Sequence, residues 1–132
     1  MIAALRRGAA AFIAASLLVG ALASVAHAAP ETMEARNGAK LRVLDKITAR
    51  TTTVDVKLDQ TVSFASLRIT LRACRENPPT EAPESAAFLE IAEQAPEGGR
   101  KVFSGWMFAS SPALSAMEHA VYDVWVLGCL GG

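Results

Sequence analysis

Short segments in which apolar and polar residues alternate are the feature that most limits how this chain can fold. Apolar side chains occupy every second position in 54–58 and in 67–71, with charged or polar side chains between them. Successive side chains of a β-strand point to opposite faces, so this pattern predicts two half-buried strands. Short polar clusters at 48–50 and 59–61 separate such segments by lengths that suit hairpins, which predicts antiparallel pairing.

The later part of the chain predicts further strands of a different kind. After a proline-rich surface loop at 75–84, strand character returns at 87–92, and the segments 101–109 and 121–129 carry large apolar groups on both faces. Those last two segments are expected to be central strands, covered on both sides. Between them, Ser111 followed by Pro112 fits a helix N-cap and first position, with one or two helical turns over 113–117.

Taken together, these segments predict an all-β domain. Six or seven short strands, one short helix and a crosslink between strands point to an antiparallel β-sandwich or a small barrel. About 104 residues remain after the N-terminal leader described next, which is the size of a single domain.

The first 28 residues have the organisation of a cleavable signal peptide. Arg6 and Arg7 form a positive start, an apolar stretch covers 9–23, and residues 26–28 form a small-x-small cleavage triplet. The alternative is a membrane anchor, but about 15 apolar residues fall short of the roughly 20 needed to cross a bilayer. The sequence predicts cleavage after Ala28 and no stable membrane span afterwards. A flexible lead-in at 29–39 and a single β-rich domain at 40–132 would follow.

The charge balance argues against nucleic acid as a partner. Two of the 13 basic residues, Arg6 and Arg7, lie in the leader, so the remainder carries 11 basic and 13 acidic residues. A nearly neutral domain lacks the dense basic surface that neutralises phosphates. No glycine-rich phosphate loop is present either, and no cofactor is expected.

Cys74 and Cys129 are the only cysteines. Because both follow the leader and exported proteins meet an oxidising compartment, the sequence predicts a structural disulfide. The alternative is a redox or metal site, although a catalytic dithiol usually has the spacing Cys-x-x-Cys and structural zinc usually has four ligands. No metal is expected.

Several runs of residues resemble a known family. They are 84–91, 102–114, and 121–127 with Cys129, together with Cys74 followed closely by Pro78 and Pro79. These resemble the domain-of-unknown-function 2155 family of small exported proteins from Gram-negative bacteria, from about Leu41 to Cys129. The resemblance implies an envelope location, here the periplasm, and supports the pairing of the two cysteines. It implies no activity, cofactor or catalytic residue.

Two function classes follow from the candidate site residues. The first is a non-enzymatic envelope module that binds a protein or cell-wall component. Its candidate groove is formed by the aromatic residues Trp106, Phe108, Tyr122 and Trp125. Because apolar stripes usually pack inward, the sequence favours the simpler interpretation of these residues as core.

The second class is a small hydrolase centred on His119, with Ser110 or Ser111 as nucleophile and Asp123 orienting the ring. None of these serines has the setting of a nucleophile elbow. A simpler interpretation makes Ser111 a helix cap and His119 a loop residue that bonds nearby backbone.

Overall fold

The computed structural model describes residues 32–131, and within them the chain is built almost entirely of strands. Eight strands follow one another: β1 (Glu34–Arg36), β2 (Gly38–Asp45), β3 (Arg50–Lys57), β4 (Thr61–Phe64), β5 (Leu67–Glu76), β6 (Ser85–Ala95), β7 (Gly98–Phe108) and β8 (Tyr122–Leu130). One short 3-10 helix, Pro112–Ser115, lies between β7 and β8. The predicted signal peptide and its cleavage site lie outside the described residues. No helix within 32–131 has the length and apolarity to span a bilayer.

The strands form two antiparallel sheets. In the large sheet the order is β1-β5-β6-β7, with β4 also pairing with β5, and in the small sheet it is β3-β2-β8. The sheets do not close into a barrel, so the all-β prediction is confirmed in its β-sandwich form. Two of the eight strands, β1 and β4, span only three and four residues, which is too short for an alternating pattern to reveal.

The core lies between the two sheets. Alternate residues of β5, from Leu67 through Ile69 to Leu71, are fully buried, while Arg68 and Arg72 between them are exposed. β6 and β8 contribute their own inward faces to the same cluster. The alternation read from the sequence at 67–71 therefore gives the correct inner face.

The strands β7 and β8 were expected to be central, and that prediction is wrong. Each lies at the edge of its sheet. Apolar residues on the two faces of β7 have different surroundings: Met107 is buried in the core, whereas Trp106 on the opposite face is only half-buried. Large aromatic residues on an outer face, rather than a second covering layer, account for the apolar pattern on both sides.

The predicted helical turns are shorter than expected. Only Pro112–Ser115 is helical, and Ala116 is extended at φ −81° and ψ 141°. Ser111 stands at the N-cap position, but its side chain makes no capping hydrogen bond, so that part of the prediction is wrong. After the extended Ala116, the side chain of Met117 is buried in the core.

Ordered structure begins earlier than residue 40. Within the segment expected to be a flexible lead-in, β1 pairs with β5 and β2 starts at Gly38. A part-exposed ion pair of 3.1 Å between Arg36 and Glu76 also links β1 to β5. A Cβ at Gly38 would lie 3.0 Å from the Val56 carbonyl oxygen, so a larger residue would crowd the backbone where the chain passes from one sheet to the other.

The disulfide joins the two sheets at this crossing. Cys74 of β5 pairs in register with Arg36, and Cys129 of β8 pairs with Ala39. Their Cα atoms are 5.8 Å apart and the sulfurs are bonded. The predicted pairing of the two cysteines is confirmed.

Candidate functional site

The four aromatic residues of the predicted groove lie on different faces of the sandwich. Tyr122 faces inward, where its ring meets Phe64 edge-on with centroids 5.9 Å apart. Trp125 lies between the buried residues Val124 and Val126 along β8, so it faces outward from the small sheet. The remaining two, Trp106 and Phe108, face outward from the large sheet. The structure therefore brings only part of the predicted groove together.

The part that does come together is an aromatic patch on the outer face of the large sheet, formed by Phe88, Trp106 and Phe108. Phe88 of β6 is in direct register with Trp106 of β7. Their rings pack edge to face, with centroids 5.5 Å apart and an angle of 85° between planes. All three side chains are half-buried, so each presents part of its ring to solvent. Phe88 was not among the residues predicted from the sequence.

An open cleft of about 590 Å³ lies on the same sheet, and none of the three patch residues lines it. The next cross-strand pair after Phe88 and Trp106 is Glu90 with Ser104, and Glu90 is also a wall of the cleft. The other polar side chains that line it are Thr61, Arg68, Thr70 and Lys101. Aromatic and polar groups thus lie side by side on one exposed surface.

The charges beside this cleft are arranged in two ways. Arg72 forms ion pairs with Asp59 and Glu90, each at 3.2 Å. These two carboxylates raise the pKa of Arg72 above its ordinary value, and Asp59 has the larger effect. Within residues 32–131, by contrast, neither Arg68 nor Lys101 makes an ion pair. Two cations are therefore free to meet an anionic group of a ligand in the cleft.

The residues of the alternative hydrolase site lie in separate hydrogen-bond networks. The Ser110 hydroxyl and backbone N–H both donate to the Glu84 carboxylate. Asp123 accepts from the backbone N–H of Val124 at 3.0 Å. No serine hydroxyl of the described chain bonds the His119 ring, and Ser111 is exposed beside its short helix. The four residues are not assembled as a triad.

His119 instead hydrogen-bonds the backbone of the loop that leads into β8. Its Nδ1 accepts the backbone N–H groups of Val121 and Tyr122, both at 3.0 Å, as expected for a loop residue that bonds nearby backbone. Its Nε2 lies 3.1 Å from an oxygen of Glu93, and the side chain is only 6% exposed. Because Nδ1 is an acceptor, the ring proton belongs on Nε2 and points at Glu93.

Glu93 is the partner that sequence reasoning missed. The Arg100 guanidinium, 2.7 Å away, and then the His119 ring lower the pKa of Glu93 below its ordinary value of about 4.5. Glu93 and Arg100 face each other across the β6–β7 hairpin, so the hairpin register would have predicted their pairing. The contact between Glu93 and His119 joins residues that are far apart in the sequence, so no local sequence pattern predicts it. No group of three or more potential metal-binding side chains occurs within 32–131.

Comparison with known proteins identifies a family. An uncharacterized protein of Rickettsia prowazekii (strain Madrid E), RP359, is 30% identical over 91 residues, which cover 68% of this chain and 59% of the relative. The chain thus spans about three fifths of the length of that relative. No solved structure matches. The family described as "Uncharacterized protein conserved in bacteria (DUF2155)" matches residues 39–129, which contain all of the aromatic patch and both cysteines. The chain belongs to the DUF2155 family.

Proposed function

We propose that this protein is a non-enzymatic binding module of the periplasm. In this proposal it is exported, cleaved after Ala28, and uses the aromatic patch and adjoining cleft to hold an envelope protein or a cell-wall component. The observation that carries the proposal is the edge-to-face pair of Phe88 and Trp106, half-exposed one cross-strand pair away from Glu90, which lines a cleft on the same sheet.

The physical basis is the combination of groups on one rigid surface. Flat aromatic faces hold apolar side chains or sugar rings, while nearby polar groups fix their orientation. The aromatic patch and the cleft both lie on paired strands, so little conformational entropy is lost when a ligand binds. The free cations Arg68 and Lys101 favour a ligand that carries an acidic group, which both peptides and cell-wall components can provide.

Export is supported by two features of different origin. The leader has the charge, apolar stretch and cleavage triplet of a signal peptide. The disulfide between Cys74 and Cys129 is of the kind that persists in oxidising compartments and is rare in the cytosol.

The test compares two tryptophan variants. Trp106→Ala removes the centre of the aromatic patch, and Trp125→Ala removes a half-buried tryptophan from the outer face of the other sheet. The wild-type protein and both variants are used as bait after chemical crosslinking of intact cells, and their folding is compared by denaturant unfolding.

We expect Trp106→Ala to lose a component that both the wild type and Trp125→Ala retain, with the loss at least about tenfold for a binding hot spot. Recovery of the same components by all three proteins would exclude the patch as the binding surface. If Trp106→Ala lowered the free energy of unfolding by about 3–5 kcal/mol, Trp106 would be acting as core rather than as a site.

A further inference from the structure

The outer edge of β7 offers backbone groups for pairing with another strand. Ala109 donates its N–H to the Ser85 carbonyl of β6, at 2.8 Å. Because hydrogen-bonding direction alternates along an antiparallel strand, residues at odd positions from 103 to 109 face β6, and Ser104 and Trp106 face away from it. Within 32–131 no backbone bond is made to the N–H or carbonyl groups of these two residues. This edge is therefore a row of unused donors and acceptors.

The usual protections of an edge strand lie at the two ends of β7. Arg100 and Lys101 lie near its start, and the register shift in its pairing with β6 occurs beside them. The rest of the strand, 102–108, has no charge and no proline, and it contains Phe103, Trp106 and Phe108. An uncharged aromatic edge of this length invites strand addition. At its other end the Ser111 N–H bonds the Phe108 carbonyl, which alternation turns outward, and the 3-10 helix that follows contacts β7. The unused backbone groups of the edge are therefore those of Ser104 and Trp106.

We propose that this edge pairs with β7 of a second copy of the chain, antiparallel, so that the two large sheets become one continuous sheet. Strand addition by a copy of the same strand is isologous and closes as a dimer, with a twofold axis at the centre of the pairing. This goes beyond the proposed ligand-binding role, because it uses the backbone edge of β7 rather than the outer face.

The side chains select one register. With the twofold axis at Gly105, Trp106 of each copy lies directly opposite Ser104 of the other, which places a large side chain beside a small one. Gly105 then faces Gly105 of the second copy in a non-hydrogen-bonded position, where Cα atoms approach to about 4.5 Å. Both hydrogen-bonding residues of the edge, Ser104 and Trp106, find partners in this arrangement.

Charge selects the antiparallel direction. Parallel pairing would set Arg100 and Lys101 beside the same two cations of the second copy. Antiparallel pairing with the axis at Gly105 instead brings them to Ser110 of the other copy, whose hydroxyl and N–H hold the Glu84 carboxylate. Arg100 stays paired with Glu93, and Lys101, which makes no ion pair within residues 32–131, then lies near a carboxylate at each end of the interface.

The test measures the molecular mass in solution of two variants, each of which carries a proline on an edge strand. Both variants are made in the protein as it is purified from cells. Proline at Ser104 removes an outward N–H that the monomer does not use, so the fold should tolerate it. The control is Thr53→Pro on β3, which is an edge of the small sheet. There the Leu58 N–H bonds the Asn37 carbonyl, so alternation likewise turns the Thr53 N–H away from β2.

Sedimentation up to about 100 μM, where even weak interfaces become populated, should show dimers of the wild type and of Thr53→Pro. Ser104→Pro should dimerise at least about tenfold more weakly. A wild type that stays monomeric over this range overturns the proposal and leaves the edge to a strand of another protein. Equal dimerisation of Ser104→Pro and the wild type also overturns it.

A crosslink keeps the test decisive if Ser104→Pro does not fold. A Cβ at Gly105 would lie 3.5 Å from the Phe103 ring, an ordinary contact, so Gly105→Cys should be accommodated. In the proposed register two such cysteines lie within disulfide range, and mild oxidation should give a covalent dimer. Thr53→Cys is the control and should not crosslink. Absence of a Gly105→Cys dimer in a folded protein overturns the register, and crosslinking of both variants alike overturns the specific interface.

Discussion

Removing the disulfide should cost a large part of the stability of this domain. Cys74 and Cys129 are separated by 55 residues and tie β5 of the large sheet to β8 of the small sheet. The chain-entropy relation for a loop of this length gives about 14 cal/mol/K, which is about 4 kcal/mol at 25 °C. A small domain has roughly 5–15 kcal/mol in total, so the double variant Cys74→Ala/Cys129→Ala should be close to its folding limit.

Urea unfolding followed by tryptophan fluorescence measures this loss directly. The double variant should unfold at lower urea and about 15–30 °C below the wild type on heating. A dithiol reductant should bring the wild type to the same midpoint and leave the double variant unchanged. A loss below about 1 kcal/mol would refute the reasoning, because it would mean that the crossing between the sheets holds without the crosslink.

The remaining predictions concern His119, Glu93 and the leader. His119→Ala should lower the free energy of unfolding by about 1–3 kcal/mol, because two backbone N–H groups lose their acceptor. The control Glu118→Ala, at an exposed position, should change it by less than about 0.5 kcal/mol, and urea titration of both variants measures the difference. Because the pKa of Glu93 is lowered in the folded protein, its stabilising contribution is present above about pH 4.5 and is lost as the pH falls further. Glu93→Gln should therefore flatten the acid limb of a stability–pH curve, and an unchanged limb would contradict the ion pairs assigned to Glu93. Mass spectrometry of the envelope fraction should find a mature N-terminus at Ala29, and an intact Met1 would contradict the predicted cleavage.

Local patterns in the sequence predicted those parts of the fold that depend on neighbouring residues. Alternation identified the buried face of 67–71, and the cysteine count identified the disulfide. The hydrogen bonding of His119 to the loop backbone was also predictable, because its two backbone donors lie two and three residues further along the chain.

Features that depend on the position of a strand within a sheet were not predictable in the same way. Two apolar faces on β7 are compatible with a covered central strand and with an edge strand that carries an aromatic patch, since both place large side chains on alternate sides. The patch also required Phe88, which meets Trp106 only through the register of β6 with β7. The predicted groove is wrong at Tyr122 for a different reason: alternation along β8 sends Tyr122 and Trp125 to opposite faces, and this local pattern is visible in the sequence.

Photo-crosslinking in living cells tests most directly whether the aromatic patch is the binding surface. A photo-reactive phenylalanine analogue replaces Phe88 in one protein and Trp125 in the other, so each substitution keeps an aromatic ring on the outer face of one sheet. The proposed function predicts a crosslinked component at position 88 that is absent at position 125. That component should disappear when Trp106→Ala is added. Crosslinking at 125 with none at 88, or a crosslink at 88 that persists without Trp106, would contradict it.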